Sequence, residues 1–400
     1  MRVGLSALAL STLIQRSSSF PQITRRNMSK RPRDSLAEVD QVGRFLRKES
    51  SFREWISSTH PEYKPEADRY HLYLAGACPW ANRCLSMLYM KGLDHVISHT
   101  LVHPTWQKTK PNDEEDVHCG WVFFDSDKDA PLQSTAGHGR FAIGKCQPDL
   151  LNGAKAVRDL YEMSNDTSNK YTVPILWDKK TKKIINNESS EILRMLNSEF
   201  NQFAKGPMKD HDFYPENLRA AIDEMNAFIY PQINNGVYRC GFAKSQEAYD
   251  EAIADLNAGL IKLDHILSKS RYLTGSEVTE ADIRLFQTLV RYDEVYVVYF
   301  KTNTHLIRDF NSLRNYCRDI YQLPGMKESI YMDHIKMHYF TAHPTLNPYS
   351  VIPKGPNVLG DLEKPHNRDP GKGMSRYHKN SYSITDDNTH RGEHLKELEK

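Results

Sequence analysis

Cys78 and Pro79 stand between a short apolar run and a helical pattern in LYLAGACPWANRC, residues 72–84. Leu72 to Ala75 read as a buried strand, Gly76 and Ala77 as a turn, and Pro79 as the first residue of a helix, where its missing N–H costs nothing. Cys78 then falls at the N-cap. Unsatisfied N–H groups and the positive end of the helix dipole favour a thiolate there, which can lower a cysteine pKa into the range of roughly 3.5 to 7.5. The chemistry implied is nucleophilic, with Cys78 as the nucleophile. The alternative is a small buried hydrophobe, a role the i, i+3, i+4, i+7 spacing of Ala81, Cys84, Leu85 and Leu88 gives to Cys84 instead. Ala81 stands where a C-x-x-C pair would need its second thiol, so no resolving cysteine is adjacent. A second constellation is Glu188 and Ser189 at the start of SSEILRML: a hydroxyl and helix N–H groups suit a carboxylate, and Glu188 suits an ammonium, although ordinary helix capping uses the same residues.

The elements that must position these residues read as strand, helix, strand over 70–102, then an excursion from His103 to Lys170, then YTVPILWDKKTKKIINNESSEILRML. In the last segment Val173 to Trp177 is a strand, KIIN its hairpin partner and SSEILRML a helix. The excursion contains a helix expected over LLNGAKAVRDLYEM, residues 150–163, and its length suggests a functional insertion. The order β-α-β, insertion, β-β-α is that of the thioredoxin fold. Pro174 holds the place of the proline that begins the third strand and faces the cysteine, so a cis Val173–Pro174 bond is expected. Beyond Pro215 the pattern is helical: Ala252, Ile253, Leu256, Leu260, Leu263 and Leu267 share one face, and Thr279 with Asp282 and Val278 with Ile283 form a capping box and a hydrophobic staple. The fold class is therefore α/β plus all-α. The expected organisation is a leader at 1–33 that is a transit peptide or disordered N-terminus, a thioredoxin-like domain at 34–205 with the insertion at 103–170, a helical domain at 215–345, and an extended, disordered tail at 346–400.

Composition narrows the classes of function. Across 400 residues, 53 basic side chains meet 51 acidic ones for a net charge of +2, which argues against nucleic acid as a partner. The 6 scattered cysteines lack the spacing of a disulfide-stapled domain and suit a reducing compartment. His118, Cys119, His138 and Cys146 match no standard zinc spacing, so no metal site is predicted. No apolar run approaches the roughly 18 residues that span a bilayer, so no membrane partner is expected. The leader carries Arg2, Arg16, Arg25, Arg26, Lys30, Arg31 and Arg33, a serine cluster and no acid before Asp34, the composition of a mitochondrial transit peptide. A start at Met28 would give a cytoplasmic form.

The strings CPWANR (78–83), GWVF (120–123), TVPILWDKKTKKIINNESSEI (172–192), GVYRCGFA (236–243), RYLTGSEVTEADIRLFQTLVRYDEVYVVYFK (271–301), YCRDIYQLPG (316–325) and DHIKMHYF (333–340) resemble the glutathionyl-hydroquinone reductases, the Xi class of cysteine-type glutathione transferases. The resemblance spans about residues 65–356. It implies a glutathione-binding role for the thioredoxin-like domain at 34–205, a glutathione transferase helical domain, glutathione as co-substrate without a tightly bound cofactor, a homodimer, and reduction of S-glutathionyl-hydroquinones to hydroquinones with release of oxidised glutathione. An omega-like general thiol transferase or dehydroascorbate reductase is the alternative within the superfamily. A conjugating transferase, which normally uses Ser or Tyr at the first helix, and a non-catalytic scaffold are alternatives outside that chemistry. The resemblance further implies that Glu188 and Ser189 hold the γ-glutamyl end of glutathione, that Val173 pairs with its cysteinyl unit beside Pro174, and that Trp121 and Lys170 lie along the tripeptide. Tyr238, Tyr296 and Tyr339 would surround the quinol as proton donors or oxygen stabilisers. Two departures stand out: Asn82 where the family has His, and Tyr299 where it has His.

Overall fold

The computed structural model describes residue 40, residues 42–47 and residues 49–368; the expected leader at 1–33 lies outside the described residues. In chain order, β1 (Tyr70–Leu74), α1 (Pro79–Lys91) and β2 (Ser98–Leu101) form the expected strand-helix-strand unit. The excursion contributes a two-stranded ribbon of β3 (Gln107–Lys108) and β4 (Cys119–Gly120), and then α2 (Val157–Met163). The hairpin β5 (Ile175–Asp178) and β6 (Lys183–Asn186) and the helix α3 (Ser189–Ser198) follow. The sheet order is β2-β1-β5-β6, with β1 parallel to β2 and antiparallel to β5. This is the thioredoxin-like arrangement, and all five β1 residues are buried in it.

Two local readings need correction. The strand expected from Val173 starts at Ile175, because Pro174 has no N–H to give to a ladder; the Val173–Pro174 bond itself is cis, as expected. The helix expected over 150–163 is confined to Val157–Met163. Before it, Asp149 accepts from the Leu151 and Ala154 N–H groups and Gly153 takes φ +70°, so the chain turns instead of coiling. Beyond β6 the edge of the sheet is covered. The lead-in runs antiparallel to it, with the Glu54 N–H on the Ile185 carbonyl (3.1 Å) and the Asn187 N–H on the Phe52 carbonyl (3.1 Å).

The helical region comprises α4 (Arg219–Ile229), α5 (Gly236–Phe242), α6 (Gln246–Lys269), α7 (Glu280–Arg291), α8 (Val297–Tyr299), α9 (Asn311–Tyr321) and α10 (Met332–Ala342). π-helical turns at Tyr230–Asn234 and Tyr292–Tyr296 join α4 to α5 and α7 to α8. The face of α6 read from its period is buried, Ile253 being at its margin. Every residue of α7 is buried, which makes it the central helix. It packs on α1 through a polar seam in which the Gln287 amide donates to the Ser86 hydroxyl (2.9 Å) and Ser86 shares a 2.7 Å bond with Ser329. Gly325 (φ +86°) lets the chain lie against the α1 backbone, where a Cβ would come within 2.6 Å of the Met90 nitrogen.

The tail reading is also overturned up to residue 368. Residues 346–368 dock on the helices and include α11 (Val358–Leu362). Asp361 takes Arg314 (2.6 Å) and Arg318 (2.7 Å), Leu362 is buried, and the Arg368 guanidinium donates to the Leu267 carbonyl (2.8 Å). A polar composition suggested too little apolar area to order this stretch; arginines waiting on α9 supply the missing attraction. Residues 369–400 lie outside the described residues. No helix among the described residues is long and apolar enough to cross a membrane.

The capping box is formed as read: Asp282 accepts from the Thr279 N–H (2.8 Å) and hydroxyl (3.0 Å) and also from the Leu273 N–H (2.9 Å) and the Tyr316 hydroxyl (3.0 Å). Replacing Asp282 with Ala removes all four bonds inside the core. The expected loss is about 2 kcal/mol or more, read as a lowered urea midpoint with an unchanged slope, and an unchanged midpoint would show that the box does not anchor α7.

Candidate active site

Cys78 is the N-cap of α1 with extended backbone (φ −77°, ψ 120°), and its side chain is half-buried, the only one of the six cysteines not fully buried. Its thiol donates to the Val173 carbonyl at 3.7 Å. The expectation of a depressed pKa is overturned in direction. Burial holds the thiol above its ordinary value, against the Ala81 and Trp80 N–H groups and the charges of Arg291 and Arg47. Cys84 is fully buried and bonded to the Trp80 and Ser189 carbonyls (3.7 and 3.5 Å), and burial pushes its thiol well above the normal range.

Cys78 opens into a cavity of about 450 Å³ between the thioredoxin-like unit and the helices. Of the residues singled out in the sequence, Trp121, Lys170, Val173, Pro174, Glu188, Ser189, Tyr238 and Tyr339 line it with Cys78. Tyr296 does not. It lies fully buried behind Tyr339 and shares a 3.0 Å bond with that hydroxyl, while Tyr238 and Tyr339 share one of 2.6 Å. The π-helical turn places Tyr296 there, and its register change is invisible to a 3.6-residue pattern. Burial keeps all three phenols above their ordinary pKa, so each holds its proton at neutral pH.

Glu188 caps α3 rather than merely preceding it. Its carboxylate accepts from the Ser190 N–H (3.0 Å) and hydroxyl (2.8 Å) and from the Ser50 hydroxyl (3.0 Å). Burial would raise this carboxyl, but the Ser190 bonds, the Arg83 charge and Ser50 together outweigh it and hold it below its ordinary value. Ser189, the first residue of α3, is buried at the cavity wall. Trp121 packs edge-on against Trp106 (5.4 Å) and face-on against His338 (4.5 Å), so it is both core and lining.

Sequence reasoning missed Arg47, Ser50, Arg83, Arg284 and His338, which also line the cavity. Arg47 stacks on Trp80 at 3.9 Å; like Ser50 it comes from the lead-in, which carries no motif. Arg83, Arg284 and His338 sit inside the quoted strings, where the signal was an internal charge or, beside Tyr339, an imidazole. The His338 Nδ1–H donates to the Pro104 carbonyl (2.9 Å), and burial holds the ring neutral. The two departures have structural uses. Asn82 donates to the Ser329 carbonyl and accepts from Arg291 (3.2 Å), and the Tyr299 hydroxyl bonds His343 Nδ1 (2.9 Å).

Because burial raises the Cys78 thiol and the two arginines lower it, alkylation of Cys78 should titrate above an ordinary cysteine in the isolated protein. Arg291→Gln and Arg47→Gln should each move the iodoacetamide rate profile to still higher pH. Profiles that stay put in folded variants would show that these charges do not reach the sulfur.

Comparison with known proteins agrees with this geometry. Family models match a glutathione S-transferase N-terminal domain over residues 77–199 and a glutathione S-transferase C-terminal domain over residues 246–319. The chain is 43% identical over 335 residues to the glutathionyl-hydroquinone reductase YqjG of Escherichia coli, covering 82% of this chain and 93% of that protein. It is 39% identical over 315 residues to the glutathionyl-hydroquinone reductase PcpF of Sphingobium chlorophenolicum, covering 78% and 90%. The glutathione-bound structure of YqjG superposes with a TM-score of 0.69 at 42% identity, over 80% of this chain and 96% of that one. With both halves of the fold, the cysteine at its helix start and these relatives in agreement, the chain belongs to the glutathionyl-hydroquinone reductases, the Xi class of the glutathione transferase superfamily.

Proposed function

We propose that the protein binds glutathione in this cavity and reduces S-glutathionyl-hydroquinones to hydroquinones through a mixed disulfide on Cys78. The observation that carries the reading is that one cavity joins Cys78, the cis Val173–Pro174 peptide and the Glu188–Ser189 helix start to the Tyr238–Tyr339 hydroxyl pair contributed by α5 and α10. The first set suits a γ-glutamyl peptide with its sulfur at Cys78. The second suits an aromatic ring carrying oxygens. Binding of a glutathionyl compound would engage Val173 by peptide-type pairing, competing for the carbonyl that now accepts the Cys78 thiol.

In the first step Cys78 loses its proton and its sulfur attacks the sulfur of the conjugate. The bond from sulfur to the ring carbon breaks, that carbon gains a proton, and the hydroquinone leaves. The protonated Tyr238–Tyr339 pair donates to the quinol oxygens as charge develops there, and Tyr296 braces Tyr339. In the second step the thiolate of another glutathione attacks the glutathionyl sulfur of the mixed disulfide, releasing oxidised glutathione and the Cys78 thiolate. No other cysteine is placed to resolve the disulfide: Cys84 is buried beneath the helix start. A homodimer is proposed on the same family grounds, and mitochondrial import on the basic leader.

Two outcomes test the mechanism. Cys78→Ala should lose reductase activity by several orders of magnitude while a folded Cys84→Ala keeps it, and intact mass of the wild type after reaction should show one glutathionyl group on Cys78; activity in Cys78→Ala would overturn the nucleophile. Ser189→Ala should raise KM for glutathione about tenfold or more with a smaller change in kcat, from the loss of a bond to a charged group, and an unchanged KM would remove Ser189 from the site.

A further inference from the structure

Apart from the Cys78 cavity, and sharing no lining residue with it, a second hollow of about 200 Å³ opens between α7, α9 and the docked stretch. Leu289 and Val290 of α7, Cys317 of α9 and Leu362 of α11 are buried at its walls, with Ile307 and Val358 beside them. These side chains offer apolar contact. The rim is different, because it carries cations that the nearby acids do not fully answer. Arg308 is half-exposed, its guanidinium donates no hydrogen bond among the described residues, and its one ion pair there, to Asp293, is long at 4.0 Å. The Asp293 oxygens instead accept from the Ile307 N–H (2.7 Å) and the Arg308 N–H (3.2 Å), which hold the turn Ile307–Asp309 and set Arg308 at the rim. Asp361 is shared by Arg314 (2.6 Å), Arg318 (2.7 Å) and Lys364 (3.3 Å), and Glu294 is taken by Lys336 (2.8 Å). Arg308, Arg314, Arg318 and Lys364 thus face Asp293, Asp361 and the exposed Asp309, which leaves this end of the hollow short of one negative charge.

We propose that this hollow is a binding site for a small amphipathic acid, its apolar ring or short chain against Leu289, Val290, Cys317 and Leu362 and its carboxylate on Arg308 beside Arg314. Size sets the upper limit. Pockets for drug-sized ligands run to about 300–1,000 Å³, so a smaller occupant fits here. Charge sets the head group: a planar guanidinium with free N–H groups matches a carboxylate, and the rim lacks a negative charge. The walls set the body, since apolar surface that leaves water on binding supplies most of the attraction. Such a ligand would touch α7, α9 and α11 at once and so fasten the docked stretch to the helices. The site takes no part in the chemistry at Cys78, and the proposal does not rest on the glutathione reading.

The test uses the full chain with benzoate and octanoate as probes, benzyl alcohol and octanol as their uncharged counterparts, and acetate as a carboxylate without an apolar body. Binding is measured by titration calorimetry and located by hydrogen exchange. At least one of the two acids should bind with a Kd of about 1 mM or tighter. Its alcohol should bind about tenfold more weakly, for want of a bond to a charged group, and acetate should not bind at that strength. Exchange should slow in peptides covering 306–318 and 356–363, and saturating glutathione should leave the affinity unchanged. Arg308→Gln should bring acid and alcohol to parity, while Arg308→Lys keeps part of the preference. Because Arg308 is half-exposed and makes only a long ion pair, these variants should fold. Val358→Trp, which fills the hollow from the α11 side, should abolish binding of acid and alcohol alike; if that variant does not fold, the Arg308 pair carries the test. Acids that bind no better than their alcohols, protection that maps to the Cys78 cavity instead, competition with glutathione, or a preference that survives Arg308→Gln would overturn the proposal.

Discussion

The fully buried guanidinium of Arg291 is the interaction on which the site depends. It donates to the Ala77 carbonyl (3.1 Å), the Asn82 side chain (3.2 Å) and the Gln287 carbonyl (2.6 Å), all neutral acceptors. Burying a charge without a carboxylate is expensive, and full hydrogen bonding to neutral acceptors is one of the few ways to offset it. What those bonds fix is the turn that presents Cys78, since Ala77 precedes the cysteine and Asn82 lies in the first turn of the helix it caps. One side chain from α7 therefore sets the cysteine relative to the tyrosines of the helical region. It also places a positive charge near a sulfur that burial would otherwise keep strongly protonated.

The site sorts its ionisable groups by their surroundings. The phenols of Tyr238, Tyr296 and Tyr339 are buried among rings and keep their protons, which suits donors. Glu188, at a helix start with three donors on its oxygens, stays ionised despite its burial. Cys78 lies between these extremes: the helix start and two arginines pull its pKa down, burial pushes it up, and burial wins. A dipole argument taken alone gets the direction wrong because it leaves out the desolvation of the charged sulfur. The helix start still opposes the effect: the Ala81 and Trp80 N–H groups act to lower the Cys78 thiol, whereas burial pushes the Cys84 thiol up with no such donors.

The lead-in, the excursion and the docked stretch complete the cavity and its frame. The lead-in closes the sheet edge beside β6 and supplies Arg47 and Ser50, and the excursion supplies Trp106 and Trp121 and braces α10 through the Gly144 carbonyl on His334 (2.8 Å). The docked stretch through Arg368 secures α9 from the far side by means of Asp361. These contacts run between residues far apart in the chain, so their value depends on the fold that brings them together.

What the sequence determined by itself was whatever rests on local order. Pro79 after Cys78 sets a helix start, Thr279 with Asp282 sets another, the period of α6 sets its buried face, and the order of strands and helices sets the thioredoxin-like sheet. Nine of the ten chosen site residues reach one cavity, and Cys78, Pro174, Glu188 and Ser189 do so from element starts, where backbone direction is fixed locally. Only the tertiary structure decided that Tyr296 stands behind Tyr339, because a π-helical turn shifts its register. Only it brought Arg83 and Arg284 together, raised the Cys78 thiol and ordered the tail to Arg368. The physical reason is common to all of these: desolvation and charge pairing depend on which distant side chains exclude water from a group, and a linear sequence carries no measure of that exclusion.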